Sequence, residues 1–530
     1  MADETQSGSG GTVESLAQAD ADIFDVSKRG DVSTLRKHAV GLPGVLFLTV
    51  TGSAPISAML FNTPISVGYG NGGGTPAAFL FATIILTIFS VGYVAMSRKV
   101  TTAGGFYSYI SHGLGRELGL GTGFAAVVAY SVFEASLCGG FAYFLQLKLS
   151  EIGNATGASW LGYIQWPWLA LFMVVVISLI TYFDIRFTAR LLGVLLIGEV
   201  VFLVIFDLFM FARGATTSTA LVFDAINPVK AFQGFAPAGK LAGGAAAIGL
   251  FFAFWSWVGF EMAPNYGEES KDPKRIVPLA MYISVVGLGI FYTLTSWAPF
   301  AGYHSLNDAI TQAQISPYAY YLGPAQQYIG LGVDQALGIL IITGSFACGM
   351  AFHNTACRYF YSLGREKVLP AALGRTHPKH KSPHIASITQ SVIAGLIVIA
   401  FAIFAGRDNP TQQAYLDLYG LMAVMGVIVI LAVQALVSVA ILRYFWLHHG
   451  SEVHWWSTVL APIISFVGQV VVLVLLFQNL SFIGGGLGLA NWLGPIDLVV
   501  FAVGIGLAFY LKSSQPEKYK TLGRLIHEGL

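Results

Sequence analysis

The chain has 530 residues, 55% of them hydrophobic and only 10% charged, with a formal net charge of +1. A soluble domain carries about 25% charged residues, so a wholly water-facing surface is excluded and lipid must cover much of this protein. The near-neutral charge excludes the basic footprint of a nucleic-acid-binding protein, and Cys138, Cys348 and Cys357 lack the spacing of a zinc site or a disulfide framework.

Residues 1–37 are polar and rich in Gly, Ser and Asp. They read as a disordered cytoplasmic tail without a cleavable signal. About twelve apolar segments follow, at 41–66, 76–97, 121–149, 165–183, 190–212, 243–266, 276–300, 335–362, 385–405, 414–445, 458–480 and 494–512. Each meets the length of about 20 residues that a helix needs to cross the hydrocarbon. The runs are continuously apolar rather than alternating, which excludes a membrane β-barrel. The expectation is an all-α membrane protein with a transmembrane domain over 38–512 and a cytoplasmic tail over 513–530. With the N-terminus inside, 23 of the 28 Lys and Arg residues fall on the cytoplasmic side. That asymmetry predicts cytoplasmic N- and C-termini and an even number of crossings.

Two segments carry helix breakers. The first reads Leu48-Thr-Val-Thr-Gly-Ser-Ala-Pro-Ile56, with Gly52 and Pro55. The sixth contains Trp255-Ser-Trp-Val-Gly-Phe-Glu261, with Gly259 and then Pro264. A break strands backbone groups, which lipid does not tolerate unless the break is buried in protein or lines a cavity. Paired broken helices at corresponding places in two halves point to a transport site near the midplane. Stranded N–H groups suit a carboxylate and stranded carbonyls suit an ammonium. Ordinary Gly/Pro kinks are the structural alternative.

Three acids lie deep in predicted segments: Glu134, Glu199 and Glu261. Each costs about 2.5–3.5 kcal/mol at a helix centre on insertion scales. At least one is expected to take up a coupling proton, and another to favour a substrate with a second positive charge. Pairing with a nearby polar group that only fixes packing is the alternative for Glu134. His353 reads as a hydrogen-bonded core residue and Trp257 as a packing one. Gly72-Gly-Gly74 lacks the strand-turn-helix context of a phosphate loop. No nucleophile–base pair or metal cluster marks an enzyme, and no cofactor is expected.

The sixth segment, continuing through Glu268-Glu-Ser-Lys-Asp-Pro-Lys-Arg-Ile-Val-Pro278, resembles the corresponding span of amino acid–polyamine–organocation permeases. Gly52-Ser-Ala54, Ala103-Gly-Gly-Phe-Tyr-Ser-Tyr109 and Arg358-Tyr-Phe-Tyr-Ser-Leu-Gly-Arg365 are similar to further motifs of that family, in the same order. The resemblance implies a LeuT-like fold of two five-helix inverted repeats, about 41–212 and 243–445, plus two helices over 458–512. It implies alternating access in a cell membrane. By the same resemblance the amides around Gly52, Ser53 and Ala54 would hold a substrate carboxylate. The carbonyls of Val50, Trp255 and Val258 would hold its amine, and the Trp255 ring would gate the site. Glu261 would couple protonation to the inward-facing switch.

Two departures stand out. The family motif Gly-Ser-Gly is Gly-Ser-Ala-Pro here, which narrows the approach to the backbone. Proton-coupled members carry a lysine nine residues after an Ala-Arg pair, where Ala189-Arg190 here is followed by Glu199. A glutamate there would carry a proton or bind a cation. The expected function is secondary transport of an amino acid or related amine by proton symport or exchange. A substrate sensor on the same scaffold, and a sodium symporter using Thr343 and Ser345, are the alternatives. The lipid bilayer is the expected partner, and the sequence does not set the oligomeric state.

Overall fold

The computed structural model describes residues 33–523 apart from 215–221, 238, 240, 331, 405–412, 449–451 and 487. Most of the tail expected over 1–37 therefore lies outside the described residues. Among the described residues, eleven helices are long and apolar enough to cross a membrane. In chain order, α1 is Leu42–Gly70, α2 Gly72–Ser97, α3 Arg116–Thr156, α4 Trp166–Thr181, α5 Ile185–Ala212 and α6 Ala246–Glu269. The remainder are α7 Pro273–Gly302, α8 Val333–Arg365, α9 His384–Phe404, α10 Gln413–Leu447, α11 Trp455–Gln478 and α12 Ala490–Ser514. Helix α4 is the one that falls short of a full span. Its 16 residues rise about 24 Å, and it occupies the place of the fourth expected segment. Pro167 starts it in the first turn, and Asp184, which caps α5 by accepting from the Arg186 N–H, follows its end. Among the described residues there is no strand, only an isolated bridge between Val40 and Ser270.

Helix α3 runs through the centre and packs on α8, α10 and α12, while α2 packs on α7 and α11. Helices α5, α9, α11 and α12 show most of their apolar surface outward, as lipid-facing helices do. The two ends of the described chain meet the same end of the bundle. The Tyr361 hydroxyl donates to the Ser33 carbonyl at 2.6 Å, and the Gly523 amide donates to the Glu366 carboxylate at 3.0 Å. The opposite end is covered by the segment after α5, which Asn71 fastens down. Its Nδ2 donates to the carbonyls of Ala231 (2.9 Å) and Gln233 (3.1 Å).

Candidate functional site

Helices α1 and α6 are both interrupted, and the interruptions touch. In α1 the α-helix stops at Val50, turns through a tight Thr51–Ser53 segment, and restarts at Pro55. Proline has no N–H to donate and disfavours a right-handed helical residue before it. Ala54 accordingly sits in the left-handed region, φ 42° and ψ 70°. In α6 the α-helix stops at Trp255 and Gly259 reverses the chain at φ +124°, ahead of a tighter helix over Phe260–Glu269. Only glycine takes that conformation without strain. The two breaks cross so closely that a Cβ on Gly259 would lie 2.4 Å from the Gly52 carbonyl carbon and 2.6 Å from the Ser53 nitrogen. Side chains tie the crossing. Ser53 Oγ donates to the Trp257 carbonyl (3.3 Å), the Tyr292 hydroxyl to the Ser53 carbonyl (2.8 Å), and Cys348 Sγ to the Gly52 carbonyl (3.3 Å).

A cavity of about 30 Å³ lies against this crossing. It is lined by Gly52, Ser53, Ala54, Trp255 and Val258, which the sequence singled out, and by Ser57, Asn62, Ser256 and Cys348. Phe133, Leu137, Phe352 and Tyr419 form its apolar wall. The volume admits a water or two and no amino acid, so the conformation is closed. On one side Trp255 stacks on Tyr419 at 5.9 Å, and Tyr419 stacks on Tyr415 at 5.6 Å. Towards the other end the buried acids Glu269 and Glu268 pair with Arg358 (2.5 Å) and Arg365 (2.8 Å). Among the described residues lining the cavity none carries a charge. Two of its polar atoms, Ser57 Oγ and Asn62 Oδ1, are buried without a hydrogen-bond partner. The Asn62 amide donates to Ser256 Oγ at 2.9 Å and so bridges α1 to α6.

The other expected residues fall behind this lining. Val50 ends the first half of α1 and does not line the cavity. Glu261 is buried below the α6 break, where its carboxylate accepts from the Gly259 amide (2.8 Å) and the Tyr130 hydroxyl (2.9 Å). Glu199 reaches from α5 to the restart of α1 and accepts from the Ile56 amide at 3.3 Å. A carboxylate there meets the positive end of the second half-helix. Its other oxygen has no partner and lies against Gly344 of α8. Glu134 is held in a closed polar cluster. It pairs with His353 Nδ1 at 2.9 Å and accepts from Gln390 at 2.6 Å, while His353 Nε2 meets Ser387 at 2.9 Å and Thr181 at 3.1 Å. That cluster joins α3, α4, α8 and α9 one layer behind Phe133, Leu137 and Phe352. Trp257 is fully buried against Tyr292, ring to ring at 4.9 Å.

Residues 41–506 match the family model described as amino acid permease. The chain is 23% identical over 384 residues to the branched-chain amino acid permease BcaP of Bacillus subtilis, across 69% of this chain and 74% of that protein. It is 25% identical over 384 residues to the low-affinity putrescine importer PlaP of Escherichia coli, across 69% and 75%. A crystal structure of a mutant of the Eremococcus coleocola manganese transporter superposes with a TM-score of 0.56 at 11% identity, covering 93% of this chain and all of that one. That likeness shows the fold. The family and these relatives are transporters, not enzymes. With two broken helices crossing at a buried cavity inside a multi-pass helical bundle, the chain belongs to the amino acid permease family.

Proposed function

We propose that this permease carries an α-amino acid with an uncharged side chain across a cell membrane by alternating access around the crossed breaks of α1 and α6. The observation that carries this reading is the composition of the cavity wall: backbone of both breaks on one side, aromatic and small polar groups on the other, and no acidic side chain. A zwitterion brings its own compensating charges and suits backbone dipoles. A diamine has no carboxylate to offer the α1 amides, and its second ammonium would meet no counter-ion in this wall. The relative named for branched-chain amino acids therefore models the substrate better than the one named for putrescine. The Ala54 N–H is already used by the Thr51 carbonyl at 3.0 Å, so carboxylate recognition is assigned to the Gly52 and Ser53 amides. The amine is assigned to the carbonyls at Trp255 and Val258.

Coupling is assigned to protons, in symport or exchange, with Glu261 and Glu199 as carriers. Each carboxylate accepts from a backbone amide at a break, so protonating it would loosen that break. The first two helices of each of two inverted repeats, α1–α5 and α6–α10, would rock against the remainder about the crossing, with both termini cytoplasmic. Sodium coupling has one supporting observation, the unpartnered Glu199 Oε1 and Ser345 Oγ on facing helices. Counterflow in proteoliposomes tests the main reading without assuming a coupling ion. Vesicles loaded with neutral amino acids should accumulate tracer, and vesicles loaded with the matching decarboxylated amines should not. Equal accumulation with amines would remove the carboxylate assignment. No accumulation with any amino acid by folded, inserted protein would remove the transport reading.

A further inference from the structure

The outward stripe of α5 runs through Phe187, Arg190, Val194, Ile197 and Val201. The four apolar members are exposed by 53%, 70%, 53% and 51% respectively, and Arg190 is exposed among them. An arginine near the start of a lipid-facing stripe needs a counter-ion or must snorkel to the interface. Among the described residues Arg190 has no carboxylate partner: Asp184, the nearby acid, is taken by Arg36 and by Arg186 at 2.8 Å. Beside Arg190 lies a groove of about 210 Å³ between the start of α1 and the start of α5. Val40, Pro43, Phe47 and Ala189 make its apolar floor, and Arg186 and Arg190 stand at its rim. Lys271 lies against Gly41 at the same edge. Arg36, Arg186, Arg190 and Lys271 gather here against Asp184 and Asp272, so positive charge exceeds negative.

We propose that this groove is a binding site for an anionic phospholipid, with the phosphate on Arg190 and Arg186 and an acyl chain along Phe47 and Pro43. A basic rim over an apolar floor between membrane helices matches both parts of such a lipid, whereas a free phosphate would leave the floor unused. Pro43 and Phe47 of the floor belong to the first half of α1 and Ala189 to α5, so a bound lipid braces that half against α5 just ahead of the break. Binding needs no assumption about transport; an effect on transport rests on the reading above. Native mass spectrometry of the full chain, released from nanodiscs of equal phosphatidylglycerol and phosphatidylcholine, tests it. Wild type should retain phosphatidylglycerol preferentially. Arg190→Gln should lower that retention about fivefold, the contribution of one basic residue at a membrane surface, and Arg190→Lys should largely restore it. Millimolar inorganic phosphate should not compete. Equal retention by wild type and Arg190→Gln, no preference in wild type, or displacement by inorganic phosphate would each overturn the proposal. Arg190→Gln must keep the wild-type melting temperature in pure phosphatidylcholine for its loss to count; otherwise the lipid preference of wild type alone decides. Retained lipid without counterflow would leave this site standing and remove the transport reading.

Discussion

Two glycines set the geometry of the crossing. Gly259 stands at φ +124° with backbone of α1 where a side chain would go, and Gly52 faces the movable end of Met262, whose Cε would lie 2.0 Å from an added Cβ. The two positions should therefore respond differently to alanine. Gly52→Ala asks Met262 to swing aside, an overpacking cost of about 1–3 kcal/mol. Gly259→Ala adds about 1–3 kcal/mol of backbone strain and presses on main chain that cannot move alone. The expected outcome is a larger fall in melting temperature for Gly259→Ala, with counterflow abolished, while Gly52→Ala stays folded with reduced counterflow. Equal effects would mean that the breaks do not pack as described. Both glycines were legible in the sequence because a breaker inside an apolar run has few uses. The lining residues Ser57, Asn62, Phe133, Leu137, Phe352 and Tyr419 were not. A helix such as α3, buried nearly all round, has no amphipathic stripe from which its rotation could be read, so the face it turns to the cavity is a tertiary fact.

At the scale of elements, the end of α8 is where both tails of the described chain converge. Leu35 packs with Ala103 and Tyr361, and the short helix Pro516–Thr521 lies over the start of α3, where the Tyr519 hydroxyl donates to Glu117 at 2.6 Å. Glu366, one residue past α8, is buried between the Tyr107 hydroxyl and the Gly523 amide. Burial pushes its carboxyl up from 4.5 to about 7, against the opposing pull of those two donors and of Arg365. A carboxyl whose folded value is raised holds its proton in the docked state more tightly than when free. Its contribution to docking is complete below about pH 4.5 and is lost as the pH rises through about 7, because the undocked form then binds fewer protons. Trypsin cleavage at Lys518 and Lys520 should therefore speed up between pH 6 and pH 8 relative to Glu366→Gln, which has no carboxyl to ionise. The same pH response in both would contradict docking through Glu366. The helices themselves were legible to within a few residues, since long apolar runs are the strongest sequence signal. The pairing of Glu268 and Glu269 with Arg365 and Arg358 was not, because charges next to a loop read equally well as solvated.

Across the whole molecule, the cavity is shut from both directions, by the Trp255, Tyr419 and Tyr415 rings on one side and by the buried Arg358–Glu269 and Arg365–Glu268 pairs on the other. Buried ion pairs are costly to desolvate, and a pair that loses one partner costs more still. Opening that end by rehydrating both pairs together is thus a natural counterpart to unstacking the rings. The closed Glu134–His353 cluster ties α3, α4, α8 and α9 into one body against which α1 and α6 could move. The acids drew the sequence reading towards cationic substrates; the folded chain keeps all three behind the lining, which is what supports the proposal of a neutral amino acid. The transport reading depends on the solute sitting at the crossing of α1 and α6. Cys348 reports on it directly, since its thiol lines the cavity and donates to the Gly52 carbonyl. In a Cys138→Ala/Cys357→Ala background, alkylation of Cys348 by a small permeant maleimide should be timed with and without an amino acid that supports counterflow. At ten times its dissociation constant the amino acid should slow the reaction about tenfold; an unchanged rate with counterflow intact would place the solute elsewhere.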